Sequence, residues 1–186
     1  MLGIINQGHA PKGNPDPGAI NPITGLRESD ITYLLGEEMA GFLRAAGHEI
    51  IVIQSDSLTE IVAAANDNDA DYFISIHCNS AEDPAAEGFE VYTTPGQTAA
   101  DPLATAIINQ TKAAFPETKF REDWGDNDPD KEANYYVLRN TVCPAVLIEC
   151  GFISNRKEQT NMQDPAWRTK MTAAWARGVT DWQVAL

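Results

Sequence analysis

The chain has 186 residues, 43% hydrophobic and 22% charged, a length and balance that suit one compact domain with a full core. Thirteen basic against 27 acidic residues leave a formal net charge of −14, which repels a phosphate backbone and excludes nucleic acid as a partner. No apolar run approaches the roughly 20 residues needed to span a bilayer, so membrane insertion is excluded as well, and the first residues lack the basic and apolar regions of a secretory signal.

Taken in order, Leu2 to Ile5 predicts a short buried strand that breaks at Gly8 and delivers His9. Ala10 to Gly25, rich in Gly, Pro and Asn, predicts a loop. From about Glu28 to Ala46 the apolar residues Ile31, Leu35, Met39, Phe42 and Leu43 recur at three and four, which predicts a helix with one buried stripe and a stop at Gly47. Extended back one turn, the stripe passes through Glu28 and leaves Glu37 solvated. Glu49 to Gln54 reads as a second strand, with His48 before it as a surface or capping residue, and Leu58 to Asn66 as a short helix. Tyr72 to Ile76 predicts a third strand, which delivers His77 and turns polar at Asn79.

Gly88 to Thr94 reads as a further strand, and Ala99 to Phe115 as an amphipathic helix with Leu103, Ile107 and Ile108 inward. Residues 116–134 are acidic and turn-rich. Asp123, Asp126, Asp128 and Asp130 lack the glycine and glutamate spacing of a calcium loop, so this stretch, with Trp124, is expected to rim the site. Lys131 to Arg139 predicts a short helix. Pro144 to Glu149, closed by Gly151, predicts a buried strand of a parallel sheet, in which a carboxylate has a large desolvation cost unless it meets a cation or does chemistry. Arg156 to Met162 and a helix opened by Asp164 and Pro165 close the chain, with Trp167, Met171, Trp175 and Val179 inward. Cys78, Cys143 and Cys150 are odd in number and beside or within buried strands, which reads as reduced core residues.

Three predicted strands thus end in His9, His77 and Glu149. In an open parallel sheet these carboxyl ends share the edge where ligands bind, and a right-handed crossover starts the first helix there, bringing Glu28. The side-chain period of two turns His77 and Glu149 to one face and Cys78 and Cys150 to the other. Taken alone, Glu28 reads as an acid complementing the helix dipole, and each histidine as a core or loop residue. Taken together, two imidazoles and a carboxylate suit one zinc ion with a fourth position open for water. The other glutamate can then take the water's proton and return it to a leaving nitrogen. The set specifies metal-assisted hydrolysis of an amide or ester; it does not name the substrate. Asn79, on the face of His77, either orients a substrate or makes the turn.

Four blocks resemble the zinc-dependent N-acetylmuramoyl-L-alanine amidases of bacterial autolysins and phage endolysins: Ile4 to His9, Gly25 to Glu28, Ser75 to Ser80, and Val137 to Arg139 with Pro144 to Asn155. By position, the resemblance implies His9, Glu28 and His77 as zinc ligands and Glu149 as general base and acid. It implies an α/β fold: one domain over residues 1–186, with a central twisted, mostly parallel sheet of about six strands flanked by helices on both faces. The implied substrate is peptidoglycan, cut between muramic acid and L-alanine at the bacterial cell wall, by a phage lysin, a mother-cell enzyme or a catalytic domain working with a separate wall-binding module. Two departures stand out. Asn6-Gln-Gly-His-Ala10 replaces the family's Asp-Pro-Gly-His-Gly, and Val62 replaces an arginine often found before the third strand. A zinc peptidase or deacylase for another amide, and an inactive wall-binding module, are the alternative expectations.

Overall fold

The computed structural model describes residues 1–186. Its strands are β1 (Leu2–Gln7), β2 (Glu49–Ile53), β3 (Tyr72–Asn79), β4 (Glu90–Thr93), β5 (Lys131–Glu132) and β6 (Ala145–Phe152). Its helices are α1 (Glu28–Ala45), α2 (Leu58–Asn66), α3 (Asp101–Ala114), α4 (Tyr136–Asn140), α5 (Arg156–Gln163) and α6 (Pro165–Ala185). The strands form one sheet in the order β2-β1-β3-β6-β4-β5, parallel throughout except where β4 runs antiparallel to β6. The fold class is the one the sequence predicts.

Alternation along the strands divides the core in two. Ile5, Ile74, Ile76, Val146 and Ile148 face α1, α3 and α6, and pack with Leu35, Met39, Leu103, Ile107, Trp175 and Val179. Their neighbours Ile4, Phe73, Ala145 and Leu147 face the other way, against Ile61 and Val62 of α2 and Val137 and Leu138 of α4. Cys78 and Cys150 belong to the first face and are unbridged, their sulfurs 3.5 Å apart.

Three local expectations are corrected. Phe42 is 37% exposed, because the buried arc of α1 runs through Thr32, Leu35, Gly36, Met39 and Leu43 and leaves Phe42 at its margin. Lys131 does not open a helix: Lys131 and Glu132 pair with Tyr92 and Thr93 as an edge strand, and α4 starts only at Tyr136. His48 caps α1, its backbone N–H donating to the Leu43 carbonyl at 3.0 Å, but it is buried and not at the surface, with Nδ1 3.0 Å from the hydroxyl of Tyr72.

Candidate functional site

His9 follows β1 with a φ of 69°, a left-handed backbone unusual for a residue with a side chain. Two glycines make room beside it. A Cβ on Gly8 would lie 2.5 Å from Cε1 of His77, and one on Gly18, at φ 67°, would lie 2.5 Å from Cδ2 of His9 and 2.6 Å from Oε2 of Glu28. Each glycine is therefore fixed by close approach.

Glu28 opens α1, where the dipole favours an acid, but its carboxylate does more than that. Oε2 accepts the backbone N–H of Ala19 at 2.9 Å and lies 2.9 Å from His9 Nε2. Oε1 accepts the backbone N–H of Cys78 at 2.9 Å and lies 3.0 Å from His77 Nδ1. Burial alone would raise the carboxyl pKa, but the hydrogen bonds and charges of His77 and His9 reverse that and hold it well below the ordinary carboxylate range. Burial would likewise lower His9, yet Glu28 and Asp16 override it and push the imidazole up to about 9 in the metal-free chain.

Asp16 is a partner the sequence reading missed: its Oδ2 lies 2.8 Å from His9 Nδ1. As the lone carboxylate of the Gly- and Pro-rich loop that runs over the site, it was the available signal. Asn6, standing where the family pattern has an aspartate, instead accepts a hydrogen bond from Ser75 Oγ at 2.7 Å.

The ligand atoms of His9, Glu28 and His77 lie within 4.8 Å of one another, close enough to share one divalent ion. Glu149 stands beside them. It is the direct neighbour of His77 in the β3–β6 register and therefore on the same face. Its Oε2 is buried without a hydrogen-bond partner. Burial, followed by the charges of Glu28 and Glu90, pushes its carboxyl well above the usual range. A buried acceptor with nothing to accept, next to three converging donors, is an arrangement with capacity for a metal ion and a reacting water.

His9, Asp16, His77 and Glu149 open onto a cavity of about 260 Å³ whose wall includes Leu58, Ile61, Tyr136 and Leu147. Two expectations are refined here. Asn79 donates from its amide to Glu90 Oε2 at 3.2 Å and accepts the N–H of Ser80 at 2.9 Å, so it makes the turn and still has one donor and one lone pair left over. The tip of the acidic loop does not line this cavity: Trp124 is 60% exposed, and Asp126 and Asp128 line a separate hollow against α3 and α6.

Comparison with known proteins gives the family and agrees with the fold. Residues 4–181 match the N-acetylmuramoyl-L-alanine amidase family. The chain is 32% identical to the N-acetylmuramoyl-L-alanine amidase CwlM of Bacillus licheniformis, over 95% of this chain and 66% of that one. It is 27% identical to the endolysin of Bacillus phage SPP1, over 95% of this chain and 64% of that one. It thus spans slightly less than two thirds of either relative. The solved N-acetylmuramoyl-L-alanine amidase AmiC2 of Nostoc punctiforme superposes with a TM-score of 0.87 at 28% identity, covering 99% of this chain and 97% of that one.

Proposed function

The chain belongs to the N-acetylmuramoyl-L-alanine amidase family, and from that premise we propose that it hydrolyses the amide between muramic acid and the first L-alanine of peptidoglycan, with zinc held by His9, Glu28 and His77. The observation that carries this reading is the unpartnered Glu149 carboxylate beside three converging ligand atoms. Zinc, when bound, supplies Lewis acidity that polarises the amide carbonyl and makes water acidic enough to attack near neutral pH. The residues supply the rest. Asp16 accepts a hydrogen bond from His9 Nδ1–H and so leaves Nε2 as the ligating lone pair. Glu28 brings one negative charge between two neutral imidazoles, and its two backbone N–H partners fix its plane. Glu149 takes the proton of the attacking water and returns it to the departing amine nitrogen. The apolar wall of Leu58, Ile61 and Leu147 thins the water around that exchange.

Action at the bacterial cell wall follows from the same reading. A net charge of −14 gives no bulk attraction to an anionic wall, which favours a separate wall-binding module as the source of adhesion.

Glu149→Gln keeps the shape and removes the base. Stem-peptide release from purified sacculi should fall by about 10²–10⁴-fold, while the zinc content of the purified protein stays at that of the unsubstituted chain. Near-normal release would overturn the assignment; lost zinc would make Glu149 a ligand.

A further inference from the structure

The row of polar side chains continues past the base. Glu90 of β4 lies directly opposite Glu149, just as His77 does on the other side. Directly opposed residues share a face, so His77, Glu149 and Glu90 stand side by side. Tyr92, two residues on from Glu90, is opposite Lys131 of β5, which carries the row to the edge of the sheet.

Glu90 differs from Glu149 in being saturated. Its side chain is 2% exposed. Oε1 meets Arg121 Nε and, at 3.3 Å, Lys131 Nζ; Oε2 accepts from the Tyr92 hydroxyl at 2.5 Å and from Asn79 Nδ2 at 3.2 Å. Two cations therefore meet one carboxylate, and the node keeps one positive charge in a chain that carries −14. Both cations remain partly open to solvent, Arg121 at 36% and Lys131 at 27% of the side chain. Their heads are steadied by aromatic faces, Arg121 at 5.3 Å over Phe152 and Lys131 at 5.6 Å over Tyr92. One cation is enough to neutralise Glu90. The second has capacity for another anion.

The substrate supplies one. The carboxyl of muramic acid is consumed in the amide that is cut, so every free carboxylate of a muramoyl peptide lies on the peptide side. Strands are spaced by about 4.8 Å and rise about 3.3 Å per residue, which sets the backbone of Lys131, level with Leu147, roughly 12 Å from that of Glu149, but the heads of Lys131 and Arg121 meet at Glu90, whose backbone is a single strand spacing from Glu149. An extended peptide advances about 3.3–3.6 Å per residue, so the cations lie within reach of a group one or two residues beyond the cut.

We propose that Arg121 and Lys131, gathered on Glu90, form a subsite for a peptide carboxylate one or two residues beyond the scissile amide. The subsite sets substrate preference, and it rests on the amidase reading above. Its test uses two soluble N-acetylmuramoyl peptides of one sequence, with peptide carboxylates either free or converted to carboxamides. The zinc-loaded chain should cleave the free-carboxylate peptide with a kcat/KM about 10–100-fold higher, mainly through KM, as befits a charge-assisted contact. Lys131→Met should lose about tenfold more on the free-carboxylate peptide than on the carboxamide, with Arg121→Gln behaving alike. Equal rates on the two peptides with the unsubstituted chain would overturn the subsite whatever the variants do, and so would equal losses on both peptides in a folded Lys131→Met protein. Cleavage of neither peptide by the unsubstituted chain would overturn the amidase reading itself.

Discussion

Glu28 and Asp130 are both buried carboxylates, 4% and 2% exposed, and their surroundings drive them in opposite directions. Glu28 is met by two imidazoles and two backbone N–H groups and stays ionised at low pH. Asp130 accepts one hydrogen bond, from Thr93 Oγ1 at 2.6 Å, and its Oδ1 has no partner. Burial pushes its carboxyl up to about 7, against the Thr93 bond and with the help of nearby Asp128 and Asp101. The hollow of about 790 Å³ beside it, lined by Gln97, Asp101, Asp126 and Asp128, is larger than the cavity of about 260 Å³ at the imidazoles. Size alone would choose the wrong one. Like charges gathered without histidine or cation store repulsion, whereas mixed donors from separate segments make a place for an ion.

The contrast breaks most sharply at Glu28. Glu28→Ala removes the charge between the imidazoles, so zinc content should fall from about one equivalent to near zero, and sacculus cleavage by more than the roughly 100-fold that marks the loss of a ligand's hydrogen-bond partner. Chelated unsubstituted protein should show the same loss but recover on zinc addition. Asp16→Ala sharpens the comparison from outside: His9 keeps its place as a ligand and loses what fixes its tautomer, so zinc affinity measured by competition with a chromogenic chelator should weaken by about 10–100-fold.

Asp130→Asn probes the other carboxylate and should give the smallest effect. A group raised in the folded state from 3.8 to about 7 contributes stability that is complete below the unfolded value and is lost as pH rises through the folded one. The melting temperature of Asp130→Asn should therefore match that of the unsubstituted chain near pH 4 and exceed it by about 5–10 °C at pH 8. A constant gap across that range would show that repulsion is not what Asp130 adds.

Much of this was legible in the residues themselves. Periodicity of two and of three to four marked the strands and helices whose cores the structure builds, and the strand ends placed His9, His77 and Glu149 along the edge that Glu28 joins. Asp16 escaped because a loop has no period, and only the folded path of residues 10–18 carries it back to His9. Lys131 and Glu132 escaped because an edge pairing of two residues depends on Tyr92 and Thr93, some 40 positions earlier. Glu90 was read as one more strand residue, since no spacing along the chain reveals that Arg121, Lys131, Asn79 and Tyr92 will close on it.

The order of the sheet has a consequence for how the molecule comes into being. β6 is inserted between β3 and β4, although it is the last strand to leave the ribosome. Until residue 152 emerges, two interior edges wait with unpaired backbone groups, open to any passing strand. The three proposed ligands arise within the first 77 residues, but the proposed base, Glu149, rides on the strand that seals the sheet. A nascent or truncated chain thus carries open strand edges, and the proposed base arrives with the same step that makes the sheet whole.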